Sequence, residues 1–250
     1  MRWTGRLAVV LFGVALFFRV PAQMAGHARE LRTRKSFDFR LTNLSLSYDF
    51  TLHVDGHVPE SFDQSDGYRE GPGYVTVFRK GESKPLQTIS LPHVVFTLES
   101  NGKPLTNSAQ LYDDQGVINV DDFNFDGNDD FAIQTGNEGS YGSPSYSVFL
   151  YSPSTRTFRR SQPLSELIQD SLGFFQVDKR RKRLITFSKS GCCHHITSEY
   201  RVVNSHPQLV EEITEDETES GVIHVTHERI VNGKRRVTEK DVPAPAEPNN

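Results

Sequence analysis

From Phe37 onward, apolar and polar residues alternate with a period of two. The stretch FDFRLTNLSLSYDFTLHV places apolar side chains at Phe37, Phe39, Leu41, Leu44 and Leu46. After one slip they resume at Phe50, Leu52 and Val54. Period two means half-buried strands. A Gly/Asp/Pro/Ser-rich segment, HVDGHVPESFDQSDGYREGPG, then reads as a long loop. YVTVFRKGESKPLQTISL predicts a hairpin with strands Tyr74–Phe78 and Leu86–Leu91 and a turn at Lys80–Glu82. HVVFTLES, VINV, DFAIQT and YSVFLYS continue the strand series. A single helical turn is predicted around Leu164–Ile168. GFFQVDKRRKRLITFSKSG reads as a further hairpin with a charged turn at Asp178–Arg181. ITSEYRVV and PQLVEEITEDE flank a turn at Asn204–Pro207, and Asn232-Gly233 is a two-residue hairpin signal. The expected fold is all-β and antiparallel: a meander forming a two-sheet β-sandwich, with a propeller-like arrangement of hairpins as the alternative. No clean internal repeat supports a full propeller.

The two ends change the domain picture. Arg2 and Arg6 precede LAVVLFGVALFF, Leu7 to Phe18, which is shorter than the roughly 20 residues a bilayer span requires. VPA follows, with Ala22 as the cleavage point and Ala28 as a second candidate. Residues 1–22 therefore read as a signal peptide, with an uncleaved anchor as the competing reading, and no Cys nearby suggests a lipid anchor. Residues 23–36 read as a linker, 37–240 as one β domain, and the Pro-rich 241–250 as a disordered tail. The expected location is the periplasm, or secretion, with no stable membrane insertion after cleavage. The 250 residues are 36% hydrophobic and 24% charged with a net charge of −4, which argues against a nucleic-acid partner.

VDDFNFDGNDDFAI, Val120 to Ile133, carries the candidate chemistry. From Asp122 it reads D-x-N-x-D-G-x-x-D. Asp122, Asn124 and Asp126 fall on alternate positions, and Gly127 permits a sharp turn. Asn128 would offer its backbone carbonyl, and Asp130 a carboxylate. Calcium takes six to eight hard oxygen ligands at about 2.3–2.6 Å, and this donor set suits it. The loop contains no His or Cys for a softer metal. Position 12 is Ile133, in a strand, so the loop is not of the helix–loop–helix type. A metal-free Asp/Asn/Gly turn is the competing reading. Turn chemistry, however, needs only about one Asp and one Gly, and close carboxylates repel without a cation between them.

Other constellations are weaker. Cys192 and Cys193 are the only cysteines. In an oxidising compartment they could close a vicinal disulfide, the favoured reading; pairing with another chain or two free thiols are the alternatives. The adjacent His194 and His195 do not complete a zinc site, because neighbours on a strand face opposite ways. DKRRKR, Asp178 to Arg183, reads as a charged hairpin turn rather than an anion site. No nucleophile elbow, phosphate loop or His-Glu-x-x-His motif is present, so no enzyme is expected. The loop GNEGSYGSPSY, Gly136 to Tyr146, combines Tyr with Ser and Gly, the chemistry of protein-binding loops. A flexible connection between strands has the same composition.

The order NFDGNDDFAI, Gly/Ser/Tyr loop, YSVFLYSPSTRTF and SGCCHHITSEYRV resembles the periplasmic calcium-loop β proteins that act as lysozyme inhibitors. Their relatives include immunity proteins against type IV secreted peptidoglycan hydrolases. The resemblance runs from about Tyr74 to Leu209. It implies a two-sheet fold, a bound calcium, and a loop that plugs the cleft of a lysozyme-like peptidoglycan hydrolase. The positions matching that plug are Ser140, Tyr141, Gly142 and Tyr146. Pro144 stiffens this loop, and the family's Ser-Gly order is not repeated residue for residue. The alternative function is a calcium-dependent glycan- or protein-binding module of the cell envelope that inhibits nothing.

Overall fold

The computed structural model describes residues 35–57, 67–109, 115–218 and 221–244. The expected signal peptide, most of the linker, the middle of the first long loop and the last six residues lie outside them. Among the described residues, the unit from Lys35 on is built of fourteen antiparallel strands and one α-helix, in three sheets. Each sheet is a meander of sequential neighbours. The first is β1 (Lys35–Leu41), β2 (Tyr48–Gly56), β3 (Tyr68–Arg79) and β4 (Pro85–Thr97). The second is β5 (Ile118–Asp121), β6 (Asp130–Gly136), β7 (Ser145–Ser152) and β8 (Thr157–Ser161). The third runs from β9 (Gln176–Asp178) through β10 (Arg183–Ser190), β11 (His194–Val203), β12 (His206–Glu217) and β13 (Val222–Val231) to β14 (Lys234–Pro243). The all-β sandwich expected from the alternation is present, with a third sheet added to the expected two.

The alternation explains the first sheet directly. In β2 the side chains of Tyr48, Phe50, Leu52 and Val54 point inward, and the residues between them are half-buried. They meet Phe131, Ile133, Phe149, Tyr151 and Phe158 of the second sheet in one core. The other face of the second sheet carries Ala132, Tyr146, Val148 and Leu150. These pack with Leu164, Leu167 and Ile168 of the helix α1 (Gln162–Gln169), with Phe174 and Phe175, and with Leu184 of the third sheet. The second sheet is thus covered on both faces, which is why YSVFLY is apolar on both parities. Helix α1 starts with Pro163 in its first turn, where a missing N–H costs nothing. Its Ser165 hydroxyl accepts from the Val148 N–H at 3.0 Å and donates to the Ser161 carbonyl.

Four boundaries differ from the sequence reading. Tyr68–Gly73, expected as loop, belongs to β3. Pro72 is tolerated because the β3–β4 register shifts between Gly71 and Gly73. Both glycines are demanded by close approach to β2: a Cβ on Gly71 would stand 2.1 Å from the Asp55 carbonyl oxygen, and one on Gly73 2.2 Å from that of His53. The turn after β11 is tighter than Asn204–Pro207, since Val203 pairs with His206 around left-handed Asn204 and Ser205. The last strand reaches Pro243, three residues into the expected tail, and β1 starts at Lys35 rather than Phe37. The Asn232-Gly233 hairpin forms as read: both residues have positive φ, and Val231 pairs with Lys234.

Gly71→Ala is expected to destabilise the unit by about 1–3 kcal/mol through this backbone clash, measured as a shift in the denaturant midpoint without a change in slope. An unchanged midpoint would show that β3 can move away from β2 freely.

Candidate functional site

The acidic loop, residues 122–129, joins β5 to β6. It folds through its own side chains. The Asp122 carboxylate accepts from the N–H groups of Asp126 at 3.0 Å and Gly127 at 2.8 Å. The Asn124 side-chain oxygen accepts from the Asp126 N–H at 3.0 Å. Asp126 accepts from the backbone and side-chain nitrogens of Asn128, both at 2.9 Å. Phe125 (φ 61) and Gly127 (φ 90) take left-handed conformations that the sharp turn requires. These bonds place Asp122, Asn124, Asp126 and Asn128 along one turn.

Asp130 is different. It is fully buried, and its two oxygens accept from the Phe123 N–H at 3.0 Å and the Tyr151 N–H at 2.8 Å. Burial pushes its carboxyl up to about 8. The Tyr151 and Phe123 N–H groups pull the other way, and the charges of Asp126 and Asp122 add to the push. A cation beside it would favour the charged form. Asp129 faces away and accepts from the Ser45 hydroxyl at 2.5 Å, and Asp121 pairs with Lys179 at 2.9 Å. The donor set is hard oxygen throughout and suits calcium chemically. Among the described residues, no three Asp, Glu, His or Cys side chains converge closely enough to enclose a metal ion. The loop's carboxylates are instead occupied by its own N–H groups.

The Gly/Ser/Tyr loop connects β6 to β7. Its base is closed by the Gly139 N–H to the Ser143 carbonyl at 3.0 Å. The Ser143 hydroxyl donates to the Ser171 carbonyl at 3.0 Å and accepts from the Gly173 N–H at 3.1 Å. At the apex, Ser140–Gly142 form one 3₁₀ turn in which Tyr141 is left-handed (φ 57) and 65% exposed. Its phenol oxygen accepts from the Gly191 N–H at 2.6 Å, and Lys189 Nζ stands 5.1 Å from its ring centroid. Tyr146 does not belong to this surface. It is 2% exposed, packs on Phe174, and donates its hydroxyl to the Gly116 carbonyl at 2.7 Å. That is a correction: Tyr146 sits within β7, where alternation turns it into the second core, and burial pushes its phenol up. Ser140, Tyr141 and Gly142 remain on the surface; Tyr146 does not.

Cys192 and Cys193 are joined as a vicinal disulfide in the turn between β10 and β11. His194, beside them, bonds Asp216 at 2.5 Å and His224 bonds Asp241 at 2.8 Å, as cross-strand pairs. The charged turn after β9 is held by Arg181, which bonds Asp178 and Glu199. Sequence reasoning missed Gly191 and Lys189. Only the fold brings them to Tyr141, and a lone Lys and Gly in a hairpin carry no signal.

These features define a three-sheet antiparallel sandwich with a side-chain-ordered acidic loop and a Tyr-tipped surface loop. The chain is similar to a solved Xanthomonas protein described as related to a type IV secretion system, with a TM-score of 0.61 and 25% identity, covering 82% of this chain and 98% of that one. No family model matches, and no curated protein matches.

Asp130→Asn is expected to lower stability by about 1–3 kcal/mol, because an amide nitrogen would face one of two buried N–H donors. Thermal melts of both forms measure it. Equal melting temperatures would remove Asp130 from its bridging role.

Proposed function

We propose that this protein is an exported partner of a type IV secretion system, and that it binds and inhibits a lysozyme-like peptidoglycan hydrolase. The observation that carries the reading is the exposed Tyr141 at the tip of a loop tied down at its base. Such a tip presents a large, rigid, amphipathic group with little left to order on binding. The similarity to a secretion-system-related protein supports the same direction. Among the described residues no helix is long and apolar enough to cross a membrane.

Calcium belongs to this proposal. Asp122, Asn124 and Asp126 would hold it with their side chains, Asn128 with its backbone carbonyl, and Asp130 from beneath. Calcium would neutralise the clustered carboxylates and stiffen the strand pair that carries the Tyr141 loop. Asp126→Ala should lower the melting temperature in calcium and abolish its dependence on chelator; identical curves with and without chelator in the parent protein would remove calcium from the account. The aromatic side chains beside the acidic loop, Phe123 and Phe125, pack into the second core.

The functional test is a pull-down and a turbidity assay against a panel of lysozyme-type enzymes, with and without chelator. Tyr141→Ala is expected to weaken inhibition roughly 10- to 100-fold while leaving the melting temperature nearly unchanged. Failure of the parent protein to bind any enzyme in the panel would end the inhibitor reading.

A further inference from the structure

The vicinal disulfide has no evident task in holding the fold. A cross-link between residues i and i+1 closes the smallest possible loop, so it removes almost no freedom from the unfolded chain. Nor does the hairpin need it. The β10–β11 register is complete from Leu184–Tyr200 to Ser190–His194, and β12 pairs with the far side of β11. The Cys193 carbonyl is already bonded by the Glu217 N–H at 2.8 Å. What the ring closes is local: the Cys192–Cys193 peptide, in the same three-residue turn as the Gly191 N–H that meets Tyr141. Among the described residues, that turn reaches beyond its own sheet to Tyr141.

Tyr141 needs such a contact. Its backbone is left-handed, a conformation that a bulky L-residue keeps only when its surroundings hold it. The following residue, Gly142, is also left-handed, and a Cβ there would meet nothing within 4 Å. The loop therefore offers its apex little packing of its own. The Tyr141 ring is fixed instead from the third sheet, by the Gly191 N–H at its oxygen and by Lys189 over its face. Between the two elements lies a cavity of about 330 Å³, lined by Ser140, Tyr141, Pro144, Gln115, Leu172 and Lys189. The phenol accepts from Gly191, so its own proton is directed elsewhere as a donor. A donor of this kind matches a partner's carboxylate.

We propose that the partner-binding surface is two-part, formed by the Ser140–Gly142 turn and the Gly191–Cys193 turn, and that the vicinal disulfide is the brace that holds Tyr141 in its presented conformation. This rests on the inhibitor reading for the identity of the partner, an acidic enzyme cleft, but not for the brace itself. Opening the ring is a two-electron exchange: a dithiol reductant becomes a disulfide, and Cys192 and Cys193 become thiols. The turn then regains backbone freedom, and the Gly191 N–H bond to Tyr141 weakens. The cysteines are positioning residues, acting through Gly191.

The experiment uses the isotope-labelled full chain in oxidised and dithiol-reduced form, and the Cys192→Ser/Cys193→Ser double variant. In the oxidised protein the Gly191 amide should exchange slowly, and Tyr141→Phe should shift its resonance, because an acceptor oxygen is lost. Reduction or the double variant should speed that exchange, and weaken hydrolase binding, by roughly tenfold or more. Reoxidation of the reduced chain should restore both. The melting temperature should hardly move, which separates positioning from support of the fold. Unchanged Gly191 exchange after reduction would overturn the brace. If Gly191 responds as described but Lys189→Ala and the double variant bind hydrolase as tightly as the parent, the two-part surface is overturned. If the oxidised parent binds no enzyme, the inhibitor reading falls and the partner surface with it, while Gly191 exchange still decides the brace.

Discussion

The Asp130 carboxylate joins the parts of this molecule. It has no solvent exposure, and its two oxygens hold two N–H groups from different places in the chain. Phe123, at the start of the acidic loop, carries its ring into the second core. Tyr151, near the end of β7, carries its ring into the first. One buried side chain therefore fixes the acidic loop, β6 and β7, and sets the two cores relative to each other. Arg79 extends the link by donating to the Tyr151 hydroxyl at 3.1 Å, which brings in the first sheet. A buried carboxylate is costly unless its lone pairs are filled, and here the backbone fills both oxygens. The same arrangement explains why Asp122 and Asp126 lie outward while Asp130 lies inward. The inward face of the loop holds the fold through Asp130, and the outward face carries Asp122 and Asp126 on the loop's own N–H groups.

This junction lets the central sheet carry a surface element without support from its own edge. β6 and β7 are covered on both faces, so the loop between them leaves a rigid base. Its two ends are tied again by Ser143, which bonds the chain at Ser171 and Gly173. At the apex, Tyr141 leans on the third sheet. The position of Tyr141 thus depends on a meander nearly fifty residues further along, whose turn is locked by a covalent ring.

Much of this was legible in the sequence, for identifiable reasons. Strict period-two alternation in YDFTLHV and the Asn232-Gly233 turn act locally, so the strands they mark formed where read. The alternate Asp and Asn side chains of the acidic loop lie within reach of the loop's own N–H groups, which is a local effect. What failed were features whose cause lies in another strand. GPG in Glu70–Tyr74 resembles a loop in composition, but its glycines answer the carbonyls of Asp55 and His53 across the ladder. Tyr146 shares the composition of the Gly/Ser/Tyr loop, yet the strand's alternation, beginning at Ser145, turns it inward. YSVFLY is apolar on both parities, as befits a sheet covered on both faces. Lys189 and Gly191 have no sequence signal at all, since only the packing of a hairpin against a loop brings them to Tyr141.

The placement of the disulfide follows from the same reasoning. A covalent bond between adjacent residues cannot hold distant elements together, and this fold already has two cores and complete ladders to do so. Such a bond narrows the backbone of one turn. The turn so narrowed carries the N–H that meets the exposed tyrosine. Rigidity here is concentrated where a partner would have to order the loop. The deep packing around Asp130 and the small ring at Cys192–Cys193 serve one end: the first holds the base of the Tyr141 loop, the second its tip.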